Sequence, residues 1–300
     1  MFNRKILFLS FLFLSIIITS SGSTSAEGNT TQESFEFDSY HFSDQYCSWK
    51  SKRNFERQFK DYTIRVSSDG EIFRCDGFEI TKAGRVVFPL EENDKFFEWN
   101  HLLSRNKNGK PEYLLNLIGK GNTQIAVESW GGGNMGPGYL FIFDLATDFK
   151  QIAKLETGEI DSPKFKDLDG DGIPEIIFKE TLYGTQFGCH ACHPNGTVIL
   201  KYKNGQYVVD ENLMYKPEPT DVYISKHIEE WQKEIREDSS PTKFYQALTT
   251  LIYTGHADQA RRFIDRVWPD DIDGENEFVE TYRESLSESS YLSRAARELE

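Results

Sequence analysis

The residues best suited to chemistry lie together at 167–175, Asp-Leu-Asp-Gly-Asp-Gly-Ile-Pro-Glu. Asp167, Asp169 and Asp171 alternate, Gly170 and Gly172 permit a tight turn, and Glu175 adds a fourth carboxylate. The carbonyl of Ile173 can supply a further oxygen. Carboxylates this close repel one another unless a hard cation sits among them. An oxygen-only set on a flexible turn suits Ca²⁺ better than Zn²⁺. An EF-hand does not fit. Its last ligand position would fall on Phe178, and Ile176-Ile177-Phe178 has strand composition where an EF-hand requires a helix. The candidate metal ligands are therefore Asp167, Asp169, Asp171, Ile173 and Glu175, with calcium as the expected cofactor.

Residues 163–178 as a whole resemble the FG-GAP/VCBS repeat, the blade unit of integrin-α-type β-propellers. The resemblance implies a strand–loop–strand calcium turn, with the same five residues as ligands. An internal repeat points the same way. Displaced by 51 positions, residues 116–127 fall on 167–178. Leu117 then meets Leu168, Gly119 meets Gly170, Gly121 meets Gly172 and Ile125 meets Ile176. Asn116 and Gln124 stand where the second copy has Asp167 and Glu175, whereas Ile118 and Lys120 replace Asp169 and Asp171. The first copy has lost its charges, so one metal site is expected. The period is that of a propeller blade.

The second motif is Cys189-His190-Ala191-Cys192-His193. Taken literally it is the attachment sequence of c-type haem, with Cys189 and Cys192 for the vinyl groups and His193 as axial ligand. A Cys189–Cys192 disulfide pinning a loop between two strands is a second reading. A redox pair or a zinc site are others, though the first wants a helix after its leading cysteine and the second a further ligand pair. Cys47 and Cys75 are expected to pair with each other. At the corresponding place in the first copy runs a glycine-rich loop from Trp130 to Gly138. Trp130 and Met135, with His190, form a candidate ligand surface.

These loops need strands to carry them. Tyr62–Val66 alternates, and Glu71–Cys75, Phe78–Ile80 and Arg85–Phe88 follow as short segments joined by Asp-Gly and Gly turns, as in an antiparallel meander. Further strands are expected at Gln124–Ser129, Tyr139–Phe143, Ile176–Phe178, Thr197–Tyr202 and Gln206–Val209, the last two joined at Lys203-Asn204-Gly205. From Tyr223 the apolar period becomes helical. Ser240-Pro241 reads as the cap and first turn of a second helix, Gly255 breaks it, and Pro269 ends a third. Residues 244–269 resemble a single tetratricopeptide-type helix hairpin, which implies a helical cap rather than a peptide-binding array.

The expected class is α+β: an antiparallel β domain of propeller-blade-like repeats, followed by a helical module. Two copies, 112–160 and 163–212, cannot close a ring that typically takes about four blades or more, so the propeller is expected to be incomplete. The expected organisation is 1–26 signal peptide, 27–46 flexible leader, 47–216 β domain and 217–300 helices. The helices are expected to dock on the meander side, far from the acidic turn. Arg4 and Lys5 precede a 14-residue apolar run to Thr19. Small residues follow at 24–26, the layout of a secretory signal rather than a membrane span. An exported protein, periplasmic or secreted, is expected, where disulfides persist.

The net charge of −14 disfavours nucleic-acid binding and anionic membrane surfaces. No nucleophile elbow, zinc-protease helix or dinucleotide fingerprint stands in context. The reading is an exported, non-catalytic binding or interaction protein with one structural calcium turn, its partner a protein or small molecule. The alternative is a monohaem electron-transfer protein using residues 189–193.

Overall fold

Short alternating segments separated by turn residues give three successive antiparallel sheets. The computed structural model describes residues 55–67, 77–88, 98–102, 104–105, 111–130, 138–146, 148–158, 163–182, 187, 192–237 and 241–299. The signal, leader, Cys47, Cys75, Met135, Cys189, His190 and the strand expected at Glu71–Cys75 lie outside them. Strands β1 (Phe55–Phe59), β2 (Tyr62–Ser67), β3 (Gly77–Lys82) and β4 (Arg85–Phe88) form a meander in chain order. Strand β5 (Glu98–Leu102) pairs with β8 (Gln124–Trp130), and β9 (Gly138–Asp144) and β10 (Lys150–Glu156) complete the second sheet. Between them β6 (Ser104–Arg105) pairs with β7 (Pro111–Glu112). Strands β11 (Lys164–Lys166), β12 (Glu175–Thr181), β13 (Asn195–Lys203) and β14 (Gln206–Val209) form the third sheet, again in chain order. The β13–β14 hairpin turns at Asn204 and Gly205, both at positive φ, as a two-residue turn between twisted strands requires.

The period of two decides the layering. Tyr62, Ile64, Phe78 and Ile80 line one face of the meander and pack on Ile125, Val127, Phe141 and Phe143. Ala126, Leu140 and Ile142, in the opposite phase of the same second sheet, join a larger core with Phe165, Ile176, Phe178, Val198 and Leu200. The second sheet is thus covered on both faces.

Four longer or medium helices follow a one-turn helix α1 (Glu211–Met214), which Asp210 caps through the Leu213 amide at 3.1 Å. They are α2 (Asp221–Glu237), α3 (Thr242–Tyr253), α4 (Ala260–Val267) and α5 (Glu275–Ser287), with a final 3₁₀ turn at Ser293–Leu299. The α+β class therefore holds. Among the described residues no helix is long and apolar enough to cross a membrane. Ser240, the expected cap, lies outside the described residues, and the N-cap of α3 is Pro241, without a side-chain bond. Instead Glu234 of α2 accepts from the Lys243 and Phe244 amides at 3.1 and 3.2 Å. A carboxylate from the preceding helix thus satisfies amides that α3 leaves open.

The docking side also differs from expectation. The stripes Phe244, Leu248, Leu251 and Phe263, Val267 belong to the core of the third sheet, not to the meander core. The closest approach is at Gly196 in β13, where a Cβ would stand 2.1 Å from the Tyr253 ring. Only glycine lets α3 lie this near the strand. The joint is completed by Glu180 of β12, which accepts from Tyr253 Oη at 2.7 Å, Ser289 Oγ at 2.9 Å and the Ser290 amide at 2.8 Å. Glu180 is six residues along β12 counted from Glu175 inclusive, so roughly 17 Å separates this joint from the acidic turn.

Candidate metal centre on a duplicated turn

The 167–175 turn connects β11 to β12, and its backbone is held by its own carboxylates. Asp167 accepts from the Gly170 amide through Oδ1 at 2.7 Å and from the Gly172 amide through Oδ2 at 2.9 Å. Asp171 Oδ1 accepts from the Ile173 amide at 2.8 Å, and Glu175 Oε2 from the Leu168 amide at 2.7 Å. Gly170 and Gly172 take φ of 79° and 83°, values that a β-carbon would strain.

The first copy repeats two of these bonds and both glycine conformations. Gly119 and Gly121 take φ of 72° and 86°. Asn116 Oδ1 accepts from the Gly121 amide at 3.0 Å, as Asp167 does from Gly172. Gln124 Oε1 accepts from the Leu117 amide at 2.9 Å, as Glu175 does from Leu168. The Leu115–Gln124 bridge matches the Lys166–Glu175 pair. An amide can do the turn-closing work of a carboxylate, so the fold alone does not call for the acids of the second copy. The two turns adjoin: a Cβ on Gly119 would stand 2.8 Å from Ile173 Cδ1, and Tyr207 Oη donates to the Leu117 carbonyl at 3.0 Å. Ile118, in the place of Asp169, is 5% exposed and part of the larger core. Lys120 is exposed.

The carboxylates of the second copy converge. Asp167, Asp169 and Glu175 each offer an oxygen, and these oxygens lie within 4.8 Å of one another. Glu175 Oε1 is buried without a hydrogen-bond partner, in a residue only 1% exposed. Burial pushes the Glu175 carboxyl above the usual range and the Asp169 charge acts in the same sense, against the Leu168 amide and Lys201. A buried carboxylate oxygen that receives no hydrogen bond, beside two more carboxylates, is an environment that a hard cation satisfies. The donor set thus fits the metal.

One residue at the site was not legible as a site residue. Lys201 of β13 reaches over the turn, its Nζ paired with Asp169, 2.8 Å from Asp171 Oδ2 and 3.8 Å from Glu175 Oε1. Its hydrogen bond lowers the Asp171 pKa, helped by the Ile173 amide. The Asp169 and Asp171 hydrogen bonds hold the ammonium strongly protonated. The signal was available in the pairing: Ile176 lies opposite Leu200, so the next position puts Lys201 across from Glu175.

The other candidate residues are only partly placed. Cys192 is disulfide-bonded, its partner outside the described residues. The His193 ring meets Phe187 edge-on at 5.7 Å. Cys192 and His193 line a cleft of about 710 Å³ with Tyr223, His227, Trp231 and Gln246. Tyr223, His227 and Trp231 recur every fourth residue of α2, with ring centroids 4.3 and 5.6 Å apart in sequence. Trp130 ends β8 opposite Gly138.

No family model, curated protein or solved structure matches this chain.

Proposed function

We propose that this chain is an exported, non-catalytic binding protein whose β region is fastened by a calcium ion at the 167–175 turn. The observation that carries the reading is the convergence of carboxylate oxygens from Asp167, Asp169 and the buried Glu175, whose Oε1 has no hydrogen-bond partner. The contrast between copies supports it: where Asp169 and Asp171 give way to Ile118 and Lys120, the same turn closes with amides. Asp167, Asp169, Asp171 and Glu175 would supply carboxylate oxygens and Ile173 its carbonyl. The charge of the ion would offset their mutual repulsion. The FG-GAP/VCBS resemblance supports the same ligand assignment, and an integrin-type blade gives the β region its role as a scaffold for binding loops.

The test is thermal. Extracellular calcium modules often bind at ~10⁻⁴–10⁻³ M, and a hundredfold excess over the dissociation constant adds ~2.7 kcal/mol by linkage. The parent is expected to melt higher in saturating Ca²⁺ than in chelator, and Asp169→Ala to lose that difference. A melting temperature indifferent to Ca²⁺ would refute the reading.

A further inference from the structure

Four carboxylates share this turn, yet one cation is already built into the chain. Lys201 Nζ touches Asp169 and Asp171 and stands 3.8 Å from Glu175 Oε1, with its side chain 21% exposed. The equivalent place in the first copy is filled otherwise. There Gln124 lies across from Asp144, and its Nε2 donates to Asp144 Oδ1 at 3.1 Å. Each copy thus closes its turn with a complementary cross-strand pair, amide with carboxylate in the first and carboxylate with ammonium in the second.

From this we infer that Lys201 is a tethered counter-ion which occupies the turn when no metal is bound, and which Ca²⁺ must displace to reach Asp169, Asp171 and Glu175. The inference rests on the calcium reading above and deepens it. The physical ground is competition for the same oxygens. An ammonium and a divalent ion cannot both lie within hydrogen-bonding or coordinating distance of these carboxylates without strong repulsion. The lysine stem has four rotatable bonds and one side open to solvent, so it can swing out when a better cation arrives. A site that is open only for a fraction of the time binds with its intrinsic affinity scaled by that fraction. Lys201 then lowers the apparent calcium affinity and at the same time keeps the metal-free turn folded.

The experiment compares the parent with Lys201→Met and Lys201→Arg, titrating each full chain with CaCl₂ and melting each in chelator. Lys201→Met is expected to bind Ca²⁺ roughly tenfold more tightly, as relief from a competitor that closes the site about nine-tenths of the time would give. It is also expected to melt lower than the parent in chelator, and Lys201→Arg to keep the parent's melting temperature there. Lys201→Met binding no tighter than the parent overturns the competition and leaves the calcium site standing. Absence of binding in both chains overturns the calcium reading and the competition together. An unchanged melting temperature of Lys201→Met in chelator overturns the counter-ion role.

Discussion

Replacing Glu180 by Ala is expected to lower stability by about 3 kcal/mol, because it strips three donors of the carboxylate they share. Tyr253 Oη, Ser289 Oγ and the Ser290 amide all donate to this carboxylate, and Tyr253 and Ser289 are themselves buried. These three donors belong to α3 and to the segment after α5, whereas Glu180 belongs to β12. The loss should therefore loosen the helices from the third sheet, not only cost energy. Glu180→Gln keeps one acceptor oxygen and should cost less. The two variants also differ with pH. Burial raises the Glu180 pKa, outweighing the Tyr253, Ser289 and Ser290 hydrogen bonds. Between the ordinary glutamate pKa and that raised value the native chain holds more protons at this site than the unfolded chain. Stability from this site is therefore greatest below that window and declines as pH rises through it. The penalty of Glu180→Gln relative to the parent should shrink over the same interval. Denaturant melts of the three proteins across mildly acidic pH check both points; an Ala variant as stable as the parent would show that the network does not hold the joint.

Removing residues 217–300 is expected to have the largest effect of all. Phe178, Leu182, Phe187, Val198 and Leu200 of the β region share one core with Phe244, Leu248, Ile252 and Tyr282 of the helices. Each of those nine side chains is at most 3% exposed. A fragment ending near Pro217 would present the first five to water as a contiguous apolar face, which a soluble monomer rarely carries. It should aggregate or bind a hydrophobic dye strongly. A soluble, folded and dye-silent fragment would mean that the helices are an independent module and that the shared core is dispensable.

Much of this was legible in the chain because local chemistry decided it. The Asp and Gly alternation at 167–172 specifies a turn whatever surrounds it, and the matching Gly119 and Gly121 reveal its duplicate. The Arg85–Phe88 and Gln206–Val209 strands follow from short β-branched and aromatic runs between turn signals. Strand β1, Phe-Glu-Arg-Gln-Phe, was harder to see, because only its end residues are apolar and pairing with β2 holds it in place. Strand β10 carries an irregularity between Gln151 and Ala153 that breaks the period of two. Helical stripes announce that a partner surface is needed but not which one, so the docking side required the tertiary structure. The phase of β12 did contain a clue: Glu180 alternates with Ile176 and Phe178, so its carboxylate had to be buried and had to find donors. Lys201 looked like an ordinary lysine near a hairpin. Its role depends on cross-strand register, which no single segment encodes.

The central claim is that the acids of the second turn hold a calcium ion while the amides of the first do not. Calorimetric titration of CaCl₂ into the full chain addresses it most directly, beside Glu175→Gln, which copies into the second turn the residue that the first carries at Gln124. A single calcium site in the parent that is lost or greatly weakened in Glu175→Gln is the predicted result. Equal binding by both chains, or none by the parent, would contradict it.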